Sequence, residues 1–125
     1  MKVEKIKTYR DLIAWQRAME LVRLLYQVTA RMPESERFGL TNQMRRAAVS
    51  IPSNIAEGYA RQTTLDYIKF LRTARGSLAE LATQVEIAIA IKMFVPHAQL
   101  KALLDEVDRI LQGLIRSLEA KRKTR

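Results

Sequence analysis

Apolar residues return every three or four positions through almost the whole chain, a spacing that suits helices packed on other helices. The first series is Leu12, Trp15, Met19, Val22 and Tyr26, and the second is Met44, Ala48, Ile51 and Ile55. A third runs Leu71, Ala74, Leu78, Leu81, Val85 and Ala88, and a fourth Leu100, Leu104, Val107, Leu111, Leu114 and Leu118. Steps of three and four average about 3.5 residues, the repeat of a seam between packed helices. No stretch of the sequence alternates polar and apolar residues at period two, as a half-buried strand would. The 125 residues suit one domain, and four Gly and three Pro leave little material for turns. The pattern predicts an all-α fold: one domain over residues 1–125, an antiparallel up-down-up-down four-helix bundle that self-associates. Helices are expected at about 9–31, 41–58, 64–93 and 96–120, with a basic tail at 121–125.

Residues with particular backbone chemistry mark the ends of these helices. Thr8 and Asp11 make a Thr-x-x-Asp start, a relative of the capping box, and Met32-Pro33 ends the first helix. Gly58 suits the C-terminal cap of the second. Asp66 sits favourably near the positive end of the third helix's dipole. Pro96 forbids continuation of the third helix and suits the first turn of the fourth.

Pro52 falls inside the second helical pattern, in the stretch RRAAVSIPSNIAEG at 45–58. It lacks an amide hydrogen and its ring crowds the carbonyl of Ala48, a cost of about 3 kcal/mol in a helix interior. A kinked helix is expected, with Ser50 or Asn54 bonding the carbonyls that the proline frees. Arg46, Ser50, Ser53, Glu57 and Arg61 form one polar stripe along it.

Two helices carry more apolar surface than a bundle seam needs. Val49, Pro52, Ala56 and Tyr59 widen the face of the second. In the third, VEIAIAIKMFV at 85–95 is apolar nearly all round, with Ile87, Ile89 and Ile91 on it. A helix apolar on two sides is buried on two sides. These residues are therefore candidates for a contact between copies of the chain, with Ala47, Ala48 and Ala56 allowing close approach. The mid-helix residues Gly76 and Gly113 are expected at contact points, because glycine there otherwise costs about 1 kcal/mol.

The chain carries 22 Lys and Arg against 13 Asp and Glu, a net charge of +9. In an up-down bundle, residues 1–20, 50–77 and 111–125 share one end and hold +8 of that excess. Residues 21–49 and 78–110 share the other and hold +1. Concentrated positive charge attracts polyanions. Lys5, Lys7, Arg10, Arg61, Lys69, Arg72, Arg116, Lys121, Arg122, Lys123 and Arg125 are the candidate nucleic-acid contacts. Tyr9 and Tyr59 lie among them and offer rings for base stacking, a combination suited to single-stranded nucleic acid. Tyr67 and Phe70, flanking Lys69, read equally well as packing residues. RNA or another nucleic acid is the expected partner, with RNA preferred. The other reading is a protein-interaction scaffold or accessory subunit, whose charge serves solubility or an acidic protein partner.

Little else in the sequence points to chemistry. There is no Cys, hence no disulfide, thiolate nucleophile or thiolate metal site. The single His, His97, follows Pro96 at a helix start without the partners of a metal site. Ser50, Ser53 and Asn54 lack a base at triad spacing, and there is no Gly-rich phosphate loop. Asp105, Glu106 and Asp108 read as a solvated face. The expectation is a protein that is not an enzyme, with no cofactor, no metal and no small-molecule substrate. Its opening MKVEKIKTYRDL lacks the apolar core of a signal peptide, and its longest apolar run, residues 87–91, is too short to span a bilayer. A cytoplasmic location without a membrane partner is expected.

Three stretches, FGLTNQMRRAAVSIPSNIAEG at 38–58, YIKFLRTARGSLAEL at 67–81 and YRDLIAWQRAMEL at 9–21, carry a resemblance. They closely resemble the four-helix bundle proteins encoded by intervening sequences in bacterial 23S ribosomal RNA genes, the S23 or intervening-sequence protein family. The resemblance spans nearly the whole chain. It implies a non-enzymatic bundle that assembles into a homo-oligomeric ring, with a pentamer expected. Arg45, Arg46, Ser50, Pro52, Asn54, Glu57 and Gly58 match the signature, and no established role attaches to any one of them. A more distant likeness is to the accessory proteins of diversity-generating retroelements, basic pentameric bundles that bind nucleic acid and a reverse transcriptase. It adds such an enzyme to the expected partners.

Overall fold

The computed structural model describes residues 5–123. It contains α1 (Ile13–Thr29), α2 (Leu40–Tyr59), α3 (Thr64–Ala90) and α4 (Ala98–Lys123), with 3-10 turns at Tyr9–Asp11 and Glu34–Glu36. Each helix packs on the next in sequence and α4 closes on α1, while the diagonal pairs stay apart. The chain runs up, down, up and down around a square, and the core fills its centre. Among the described residues no helix is long and apolar enough to cross a membrane.

The seams of α2 and α3 are buried where their spacing puts them: Met44, Ala48, Ile51 and Ile55 on one, Leu71, Ala74, Leu78, Leu81, Val85 and Ala88 on the other. On α1 the seam lies one stripe away from the expected one. Ala14, Ala18, Leu21, Leu25 and Thr29 are buried, whereas Trp15, Met19 and Val22 are half-buried flanks and Tyr26 is exposed. Both stripes are apolar, and the narrower one with two alanines faces the axis. On α4, Leu100, Leu104, Val107 and Leu111 are buried, joined by Leu103 and Ile115; Leu114 and Leu118 are half-buried.

The helix ends depart from expectation for local reasons. The Thr8–Asp11 capping box exists, but it caps the 3-10 turn Tyr9–Asp11. Leu12 then takes an extended backbone before α1 begins. α3 stops at Ala90, short of 93, because Lys92 adopts a left-handed φ of 63°. Met93 N–H donates to the Ala88 carbonyl at 2.9 Å and Lys92 N–H to that of Ile89 at 3.0 Å, the Schellman pattern. α4 begins at Ala98, and His97 caps it by accepting the Leu100 N–H on Nδ1 at 3.1 Å. The basic segment expected as a tail continues α4 to Lys123, where cations suit the negative end of the dipole.

α2 and α3 form the closest pair. A Cβ added to Gly58 would lie 2.7 Å from Phe70 Cβ and 3.2 Å from the Tyr67 carbonyl oxygen. Gly58 thus lies inside α2 as a point of close approach, not beyond its end as a cap. Gly76 and Gly113, expected at contacts, face open space, with nothing within 4 Å of an added Cβ. Pro52 is buried and α2 is helical through it. Just after the proline, Ser53 Oγ donates to the Val49 carbonyl at 2.9 Å, one residue past the Ala48 carbonyl that the proline frees. Asn54 Nδ2 donates to the Ser50 carbonyl at 2.8 Å and to Ser50 Oγ at 2.9 Å. Ser50 Oγ meets Ser77 Oγ at 2.8 Å, which extends the network onto α3.

Candidate nucleic-acid interface

This topology gathers residues 5–20, 50–77 and 111–123 at one end of the bundle. There Lys and Arg outnumber Asp and Glu by seven, against one among residues 21–49 and 78–110. Lys5 and Lys7 are exposed just ahead of the first turn. Asp11 accepts the Lys7 and Thr8 N–H groups at 2.8 and 3.0 Å, and these bonds hold its carboxyl below the usual range.

Several of the expected contacts are already engaged inside the protein. The Arg10 guanidinium lies 4.8 Å from the Tyr9 ring centre, and Tyr9 packs edge-on to Trp15 at 5.3 Å. Arg61 covers the Phe70 ring at 4.6 Å and lies 3.9 Å from Glu57. Tyr59 meets Tyr67 edge-on at 6.0 Å, and burial pushes the Tyr67 hydroxyl up to about 12. Tyr9 and Tyr59 are half-buried by this packing and offer less free ring than their neighbours in sequence suggested. Arg72 pairs with Glu119, linking α3 to α4.

The exposed cations Lys69, Arg116, Arg122 and Lys123 pair with no carboxylate among the described residues. Lys121 is exposed beside them. Arg125 lies outside the described residues. The surface on offer is therefore a set of solvated point charges with few free rings. Such a surface neutralises phosphates and reads little sequence.

The acidic cluster is more than a solvated face. Glu106 takes the Arg17 guanidinium at 2.7 Å, tying α1 to α4, and that bond lowers the Glu106 carboxyl from its ordinary value. Asp108 holds Arg75 at 2.9 Å, tying α3 to α4. Among the described residues, no three His, Cys, Asp or Glu side chains gather as they would around a metal.

The candidate contacts between copies are scattered. Ile87 on α3 and Ile91 just past its end are 45% and 52% exposed, while Ile89 is half-buried against the core. Ala56 and Tyr59 are half-buried on α2. Pro52 is buried within its own bundle, so it is not a surface contact. Val49 is exposed, but it borders a cleft with Tyr26 and Phe38 on the α1 side of α2. Phe38, 84% exposed with Arg37 over its ring at 5.1 Å, is the aromatic that sequence reading missed. Its signal in the sequence is the pair Arg37-Phe38 closely followed by Arg45-Arg46.

Comparison with known proteins agrees with this architecture. The structure superposes with a TM-score of 0.73 on the crystal structure of a protein of unknown function from the S23 ribosomal protein family of Bacteroides thetaiotaomicron. The two share 19% sequence identity, and the match covers 83% of this chain and 96% of that one. At that identity the likeness concerns the fold. No curated protein matches the chain. Residues 10–116, from the first turn to the last third of α4, match the family described as 23S rRNA-intervening sequence protein, and the chain belongs to that family.

Proposed function

We propose that this chain is a non-enzymatic, self-associating four-helix bundle that binds RNA or another nucleic acid, RNA by preference, through its basic end. The supporting observation is the uneven charge: among the described residues the excess of seven cations lies at one end, where Lys69, Arg116, Arg122 and Lys123 are exposed and pair with no carboxylate among those residues. Each phosphate contact releases counterions, so such an end binds polyanions without needing a shaped pocket. The exposed Ile87 and Ile91 supply an apolar edge for contact between copies. A symmetric assembly would repeat the basic end and multiply its field. The pentamer and the cytoplasmic location are the expectations that go with this reading.

The test is to purify the protein at low salt and sequence the nucleic acid that comes with it. RNA enriched over DNA is the expected result. A preparation that carries no nucleic acid and binds no added RNA would leave the protein-scaffold reading, for which the same exposed isoleucines would be the docking edge.

A further inference from the structure

A second positive region lies at the opposite end. A cleft of 340 Å³ opens between the end of α1 and the start of α2, and its lining includes Tyr26, Arg37, Phe38, Asn42, Arg45 and Arg46. No Asp or Glu lines it. Pockets for small ligands run from ~300 to ~1,000 Å³, so the cleft has room for a group of nucleotide size.

Its cationic wall is built in place. Arg45 Nε donates to Thr29 Oγ1 at 3.0 Å and Nη2 to the Tyr26 carbonyl at 3.3 Å. The guanidinium lies over the Tyr26 ring at 4.4 Å. Thr29 is 2% exposed and its hydroxyl donates to the Leu25 carbonyl at 2.7 Å, so the anchor of Arg45 is part of the core. Arg46 is exposed and pairs with no carboxylate among the described residues. Arg37 is 3.4 Å from Glu34, with both side chains in water, a geometry that contributes little. Phe38 stands beside these guanidiniums, 84% exposed, with Arg37 5.1 Å from its ring centre.

An inorganic anion would satisfy the arginines and leave Phe38 wet; an apolar ligand would cover Phe38 and leave the arginines unmet. A phosphate joined to a planar ring satisfies both, since guanidinium forks take phosphate oxygens and an aromatic face stacks a base. We infer that this cleft binds a nucleotide, its phosphate on Arg45 and Arg46 and its base on Phe38. The nucleotide is either free or one unit of an RNA strand. The inference does not rest on binding at the basic end.

The test uses the full-length chain with three probes: AMP, inorganic phosphate and a short single-stranded oligoribonucleotide. Binding is followed by NMR shift perturbation and titration calorimetry. Phe38→Ala and Arg46→Gln alter exposed side chains, and circular dichroism checks that the fold is kept. AMP is expected to bind more tightly than phosphate, and each substitution to weaken it about five-fold or more. Joint replacement of Lys121, Arg122 and Lys123 by Ala should leave AMP binding unchanged, which separates this site from the basic end. If AMP is silent while the oligonucleotide weakens in the same two variants, the site takes a nucleotide within a strand. The inference is overturned if neither probe responds to the two substitutions. It is equally overturned if phosphate binds as tightly as AMP and Phe38→Ala changes nothing.

Discussion

Lys92 ends α3 in a left-handed conformation, with φ at 63°, that an L side chain adopts at a cost. The position requires that backbone because the two Schellman hydrogen bonds close around it. Lys92→Gly is therefore expected to raise stability by about 1 kcal/mol in urea unfolding. A loss would mean that the lysine side chain makes a stabilising contact. Tyr67 shows the opposite economy, a polar group hidden from water. Burial raises its folded-state value from the ordinary 10 to about 12. Below pH 10 both states hold the proton and the shift has no effect on stability. Between 10 and about 12 the unfolded chain loses its proton first, so stability falls through that window. Tyr67→Phe should remove this part of the alkaline loss, and an ultraviolet titration of the variant should lose the phenolate signal that the parent protein gains near pH 12. An ultraviolet titration that the substitution leaves unchanged near pH 12 would contradict the burial.

At the scale of elements, the fit of α2 against α3 depends on where side chains are missing. Gly58→Ala would press a methyl within 2.7 Å of Phe70 Cβ and is expected to cost about 1–3 kcal/mol. Gly76→Ala, with nothing within 4 Å, is expected to gain up to about 1 kcal/mol from helix propensity alone. Equal effects from the two substitutions in denaturant melts would show that the close approach is not as described. The same contrast explains what was legible in the sequence. The seams of α2 and α3 could be read because the spacing of their core residues selects one stripe. α1 has two neighbouring apolar stripes, Ala14-Ala18-Leu21-Leu25 and Trp15-Met19-Val22-Tyr26, and periodicity does not choose between them. Gly58 could not be told from a cap, since close packing and left-handed φ both select glycine. The stop at Lys92 was hidden because residues other than Gly seldom take that conformation.

For the whole molecule, topology turns a modest excess of cations into one charged end. That end was legible because it needs only chain direction and a count of charges. The packing of Tyr9 and Tyr59 was not, because rings next to cations in sequence look alike whether they face solvent or pack on other rings. Ile87→Glu would place a carboxylate in the proposed contact between copies and is expected to dissociate or aggregate the assembly. Light scattering should find several subunits in the parent protein; a well-behaved monomer would end that proposal. The proposed RNA binding at the basic end is read out by the salt dependence of affinity. On single strands each phosphate contact adds ~0.7 to the log–log slope. Replacing Lys121, Arg122 and Lys123 should flatten that slope, while replacing Lys92 and Lys101 at the other end should leave it. All are surface changes, expected to move stability by no more than ~0.5 kcal/mol each. A slope that flattens equally in both sets, or the absence of RNA binding at low salt, would contradict the account.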